Sequence, residues 1–115
     1  MKIIIESPHF TVSTHLNKYT TVKVQKLAHI NDQLIRSDVF LRLDKSNTDD
    51  NKICEIKVFA PGHNFFARRQ CLTFEDAVTQ VIHALEKQLG KQKTKWEGSK
   101  KEMQIEDSEV MGLTS

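Results

Sequence analysis

No apolar run in this chain of 115 residues approaches the roughly 18 residues that cross a bilayer, which argues against a helical membrane protein. The N-terminal stretch passes from Met1 through Ile3, Ile4 and Ile5 straight to Glu6. That is too short an apolar segment for a secretory leader, so a cytoplasmic location is expected. Cysteine is scarce. Cys54 and Cys71 form no CxxC pair and have no histidine at zinc-ligand spacing, so they read as buried thiols in a reducing compartment. HExxH, a glycine-rich phosphate loop, GxSxG and convincingly paired carboxylates are all missing. The histidines (His9, His15, His29, His63 and His83) are scattered over expected loops and helix surfaces. The sequence therefore calls for no catalysis, no cofactor, no metal and no small-molecule substrate.

What is present is a soluble composition, 38% hydrophobic and 28% charged, with room for one modest core. The net charge of +2 averages two unlike parts. All 17 basic residues fall in residues 1–101 together with 11 of the 15 acidic ones, a balance of +6. Residues 102–115 hold Glu102, Glu106, Asp107 and Glu109 and no base, a balance of −4. A basic domain followed by an acidic tail points to a polyanionic partner for the domain, with nucleic acid first. The expected organisation is a folded unit over 1–96 and a flexible acidic C-terminal tail over 97–115, whose scattered apolar groups cannot offset the entropy of ordering it.

Along the chain, Lys2 to Glu6 reads as a strand closed by Pro8. Ser13 caps a helix expected to run to about His29, with Leu16, Tyr19, Thr20, Val24 and Leu27 on one arc. Val39, Leu41 and Leu43 alternate with polar or exposed neighbours over Ser37–Asp44, and Cys54, Ile56 and Val58 do so over Ile53–Ala60. Pro61-Gly62 is a turn signal, with proline setting φ at the second position and glycine taking a positive φ at the third. Pairing outward from it sets Ala60 opposite His63, Val58 opposite Phe65, Ile56 opposite Ala67 and Glu55 opposite Arg68. Thr73 opens a second helix with Asp76 three residues on, and Phe74, Ala77, Val78, Val81, Leu85 and Leu89 form its core stripe. The order β-α-β-β-β-α predicts an α+β fold: a four-stranded mixed sheet with a parallel first pair and two helices side by side on one face.

The second helix ends in a comb of lysines. Lys87, Lys91 and Lys95 fall along one edge, four residues apart, where like charges repel by a few tenths of a kcal/mol per pair. A stripe that weakens its own helix suits a polyanion, although a solvated helix end complementing the macrodipole also fits. In the first helix Lys23 falls inside the apolar arc, between Leu16, Tyr19 and Leu27, with Lys26 and Lys18 further round the same side. Either its stem snorkels at the rim of the helix pair, or it opens into the groove between helices to meet the lysines of the second. Phosphate backbones are bound by such convergent ammonium groups. Phe40, Phe59 and Phe66 are placed on the far face of the sheet. They could stack single-stranded bases, or form a local cluster or a protein contact; no RNP-type motif accompanies them.

Two motifs together carry a family resemblance: Leu16-x-x-Tyr19-x-x-x-Lys23-x-x-Lys26-Leu27, and Leu85-x-x-Gln88-Leu89-x-Lys91-x-Lys93-x-Lys95. Over residues 1 to about 96 the chain resembles the ribosome hibernation promoting factor and ribosome-associated inhibitor family, also called sigma-54 modulation proteins. The resemblance implies a fold akin to double-stranded-RNA-binding domains and a protein that is monomeric when free. It also implies binding to the small ribosomal subunit and its rRNA at the decoding region, across the mRNA channel and tRNA sites, silencing translation in stationary phase or stress. Residues matching the family's basic faces are Lys23, Lys26, Lys87, Lys91 and Lys95, with Lys93 adjoining. Stopping at Ser115, the chain is expected to lack the extra domain by which long members pair ribosomes, and its acidic tail resembles that of the inhibitor-type short members. Both modes of the family, promoting ribosome dimers and keeping ribosomes as inactive monomers, are compatible with these features. The competing class is a non-ribosomal module that binds a protein through its exposed sheet edge or its Phe patch.

Overall fold

Alternation along the strands builds a sheet with one wet face and one dry face. The computed structural model describes residues 1–45 and 48–101, and for residues 92–101 the backbone alone. Its elements are β1 (Lys2–Glu6), α1 (Thr14–Gln25), α2 (Leu27–Ile30), β2 (Arg36–Leu43), β3 (Lys52–Ala60), β4 (His63–Cys71) and α3 (Phe74–Lys101). The strands lie in the order β1-β2-β3-β4. β1 and β2 are parallel, and β2, β3 and β4 follow as antiparallel neighbours. This is the expected α+β sheet.

The hairpin between β3 and β4 takes the register expected from its turn, with Ala60 opposite His63, Val58 opposite Phe65, Ile56 opposite Ala67 and Glu55 opposite Arg68. Gly62 has φ 74°, a conformation that side chains with a Cβ resist. Because the register is right, the apolar set faces inward: Val39, Leu41, Cys54, Ile56, Val58, Phe65 and Ala67 are all buried in one cluster with the helices. Val24, Leu27, Val78, Val81, Leu85 and Leu89 close that cluster from the helix side. Ile82, also buried there, flanks the expected stripe of α3.

Helix starts are set by side-chain caps. The Ser13 hydroxyl accepts from the Leu16 amide at 3.0 Å, and the Thr73 hydroxyl from the Asp76 amide at 3.1 Å. The first helix differs from expectation in one respect: it breaks at Lys26 and resumes as the single turn α2. The Lys26 amide donates to the Lys23 carbonyl (3.3 Å) and the His29 amide to the Lys26 carbonyl (3.1 Å). These three-residue bonds tighten the chain at that point, and Leu27, just past it, is fully buried. The expected tail beyond residue 101 lies outside the described residues, while α3 extends in backbone past the expected domain end at residue 96.

Both cysteines are free thiols, Cys54 buried and Cys71 half-buried. Burial, then the neighbouring Glu55 carboxylate, then Cys71, push the Cys54 thiol up to about 12 from an ordinary 9.0. The folded state keeps this thiol neutral while the unfolded chain ionises, so its contribution is intact below pH 9.0 and is lost as pH rises toward about 12. Thermal midpoints measured upward from pH 9 should therefore fall less steeply for Cys54→Ala than for the parent. Parallel declines would mean that another group governs alkaline unfolding.

Candidate nucleic-acid interface

The interface starts at the seam between α1 and α3. Phe10, just ahead of α1, stacks on Phe74 at the start of α3 with centroids 4.8 Å apart and planes at 22°. Further along both helices, the hydroxyls of Tyr19 and Thr79 share a hydrogen bond of 2.8 Å. These two contacts fix α1 and α3 side by side, running in the same direction.

Lys23 lies one turn beyond Tyr19 on that seam. It is half-buried, and its Nζ stands 5.4 Å from the centroid of the Tyr19 ring. The stem thus lies along apolar surface while the ammonium rests on the negative face of an aromatic ring, an attraction of about 0.5 to 2 kcal/mol that keeps the charge at the mouth of the seam. Tyr19 therefore has two jobs: its hydroxyl pins α3 and its ring positions a cation. The misplaced lysine of the sequence pattern is a cation held at the helix junction.

Lys26 is exposed at the break between α1 and α2. On α3, Lys87 and Lys91 are exposed, on the side opposite the buried Val78, Val81, Leu85 and Leu89. The backbone of α3 carries Lys93 and Lys95 onward in the same helix, and their side chains lie outside the described residues. So the structure brings Lys23 to the seam and places Lys87 and Lys91 on the outer surface of the helix beside it.

Sequence reasoning missed one further cation beside α3. Arg69 shares an open groove with Thr79, Gln80, His83, Ala84 and Lys87. The signal was available: strand alternation that turns Phe65 and Ala67 toward the helices turns Arg69 the same way. Arg68, of opposite parity, goes to the other face and pairs with Glu55 at 3.1 Å.

That other face does not offer stacking platforms. The Arg36 guanidinium lies 4.4 Å from the centroid of the Phe59 ring and the Lys57 ammonium 5.3 Å, while Arg42 lies 5.4 Å from Phe40. Arg42 and Arg68 both pair with Glu55 at 3.1 Å, and Arg36 pairs with Asp38 at 3.0 Å. Two of the three rings are thus covered by the chain's own cations, and only Phe66 is largely open, at 53% exposure. Among the described residues no group of metal-binding side chains occurs and no helix is long and apolar enough to cross a membrane.

A mixed four-stranded sheet backed by parallel-running helices, with cations at their seam and along α3, defines a small α+β domain with a basic helix side. Residues 3–97 match the family of sigma-54 modulation proteins and S30EA ribosomal proteins, and the chain belongs to that family. In three dimensions it is similar to a ribosomal subunit interface protein from Coxiella burnetii. The TM-score is 0.73 at 23% identity, over 82% of this chain and 99% of that one. It is also similar to the N-terminal domain of Protein Y from Thermus thermophilus, with a TM-score of 0.65 at 20% identity, over 77% of this chain and 96% of that one. At such identities these likenesses bear on the fold. No curated protein matches significantly.

Proposed function

We propose that this protein binds the small ribosomal subunit at its decoding region, across the mRNA channel and the tRNA sites, and so holds translation off in stationary phase or stress. It acts as a cytoplasmic binder and not as an enzyme, and it is monomeric when free. The rRNA contacts are Lys23, Lys26, Lys87, Lys91, Lys93 and Lys95, presented by a unit over 1–96. The remaining segment, 97–115, is acidic and supplies none of the proposed contacts. The observation that carries this reading is Lys23, half-buried on Tyr19 at the α1–α3 seam beside the exposed lysines of α3. Membership in a ribosomal protein family supports it, as does the Coxiella neighbour, itself a ribosomal subunit interface protein. The alternative of a protein-binding module using the Phe patch loses support, because Phe40 and Phe59 are already occupied from within.

Binding through several ammonium groups releases the counterions condensed on phosphates. Affinity for purified small subunits should therefore fall by about three to five orders of magnitude between about 50 and about 200 mM salt, if six or more phosphates are contacted. Sucrose-gradient sedimentation across a salt series measures this. Association that is indifferent to salt, or absent, sinks the reading.

A further inference from the structure

An open groove runs between β4 and α3. Its walls are Arg69 from the strand and Gln80, His83 and Lys87 from the helix, with Thr79 and Ala84 at half-buried positions between them. Gln80, His83, Ala84 and Lys87 follow one another at helical spacing on one flank of α3, so their side chains converge on the same space. Ala84 leaves room in the middle where a longer side chain would fill it. Every polar group lining the groove can donate a hydrogen bond, and no carboxylate lines it.

Arg69 is the group with most to offer there. One of its terminal nitrogens, Nη1, donates to the Arg68 carbonyl at 2.8 Å, which orients the guanidinium. Among the described residues it has no carboxylate within ion-pair distance, whereas its neighbour Arg68 is engaged by Glu55. A planar, always-charged fork with unused donors, next to an ammonium and an imidazole, matches the tetrahedral oxygens of a phosphate.

We infer that Arg69, His83 and Lys87 form a phosphate-binding site between β4 and α3 that takes a backbone phosphodiester of the bound RNA. The inference rests on the ribosome-binding reading and widens its surface: the RNA contact crosses the outer side of α3 to the sheet edge, beyond the lysines named from sequence. Arg68 supplies an internal control, being the same residue type one position away on the opposite face.

The test compares Arg69→Gln with Arg68→Gln in binding to purified small subunits across a salt series, with thermal midpoints recorded for both. Arg69→Gln should weaken binding about tenfold at fixed salt and reduce the steepness of the logarithmic salt dependence by about one, the signature of one lost phosphate contact. Arg68→Gln should leave both unchanged. Equal weakening by the two variants would show a general charge effect and overturn the site. So would unchanged binding by Arg69→Gln alongside loss of binding on charge reversal at Lys87 and Lys91, which leaves the ribosome reading standing. If neither Arg69→Gln nor the lysine reversal alters binding, the reading falls and the site with it.

Discussion

Lys87→Glu combined with Lys91→Glu should abolish binding to the small ribosomal subunit while moving the thermal midpoint by less than about 5 °C. Both side chains are exposed on the solvent side of α3, and neither takes part in an ion pair among the described residues. Substitutions at such places usually change stability by no more than about 0.5 kcal/mol each. The parent pair already repels across one helical turn, so exchanging two like cations for two like anions leaves that small cost in place. At the interface the change is of another order. On the proposed function, two phosphate contacts would be lost and two carboxylates set against a backbone that carries a negative charge about every 1.7 Å of duplex axis. Gradient sedimentation and a thermal melt on the same preparation decide it. A double variant that keeps its midpoint and still travels with the small subunit would reduce the lysine line to a solvated helix surface.

Leu85→Ala, two residues before Lys87 on the same helix, should do the reverse. Leu85 is fully buried in the cluster that α3 makes with the helix-facing side of the sheet. Truncating it removes the transfer free energy of the lost carbons and leaves a cavity, together about 2 to 5 kcal/mol. For a domain of this size that lowers the midpoint by about 10 to 25 °C, a large share of a total stability of about 5 to 15 kcal/mol. At a temperature where the variant is still folded, its affinity for small subunits should stay close to that of the parent. A midpoint drop below about 5 °C would mean that α3 is not seated on the sheet as described; a loss of affinity without unfolding would mean that the core and the basic surface are coupled.

Much of this architecture was legible because it is governed by local rules. Pro61-Gly62 sets the hairpin, and one register then satisfies both the apolar face and the Glu55–Arg68 pair. Ser13 and Thr73 announce the helices they cap. Lys23 stood out because a cation within an apolar arc is costly, and the structure shows the compensation, a ring beneath the ammonium. Other features depend on contacts that no spacing reveals. The bond between Tyr19 and Thr79 joins residues sixty positions apart, so the partner that fixes Tyr19 was invisible along the chain. The break at Lys26 was hidden because the apolar period continues across it to Leu27. Ile82 lies at the flank of its stripe, where a wheel separates burial from exposure poorly. Arg69 was missed for a simpler reason. The alternation of β4 was used to place Arg68 and was not carried one residue further to the edge of the sheet beside α3.

Glu55 has a consequence beyond its two ion pairs. By holding Arg42 and Arg68, while Asp38 holds Arg36, the carboxylates of the open sheet face cancel much of its positive charge. Lys23, Lys87, Lys91 and Arg69 on the helix side have no such partners among the described residues. Among the described residues these arginines of the sheet face are thus paired, and these cations of the helix side are not. On the function proposed above, that asymmetry would help turn the helix side toward the rRNA while solvent still separates the two bodies. On that reading, the short carboxylates of one face would help decide which way round the protein arrives.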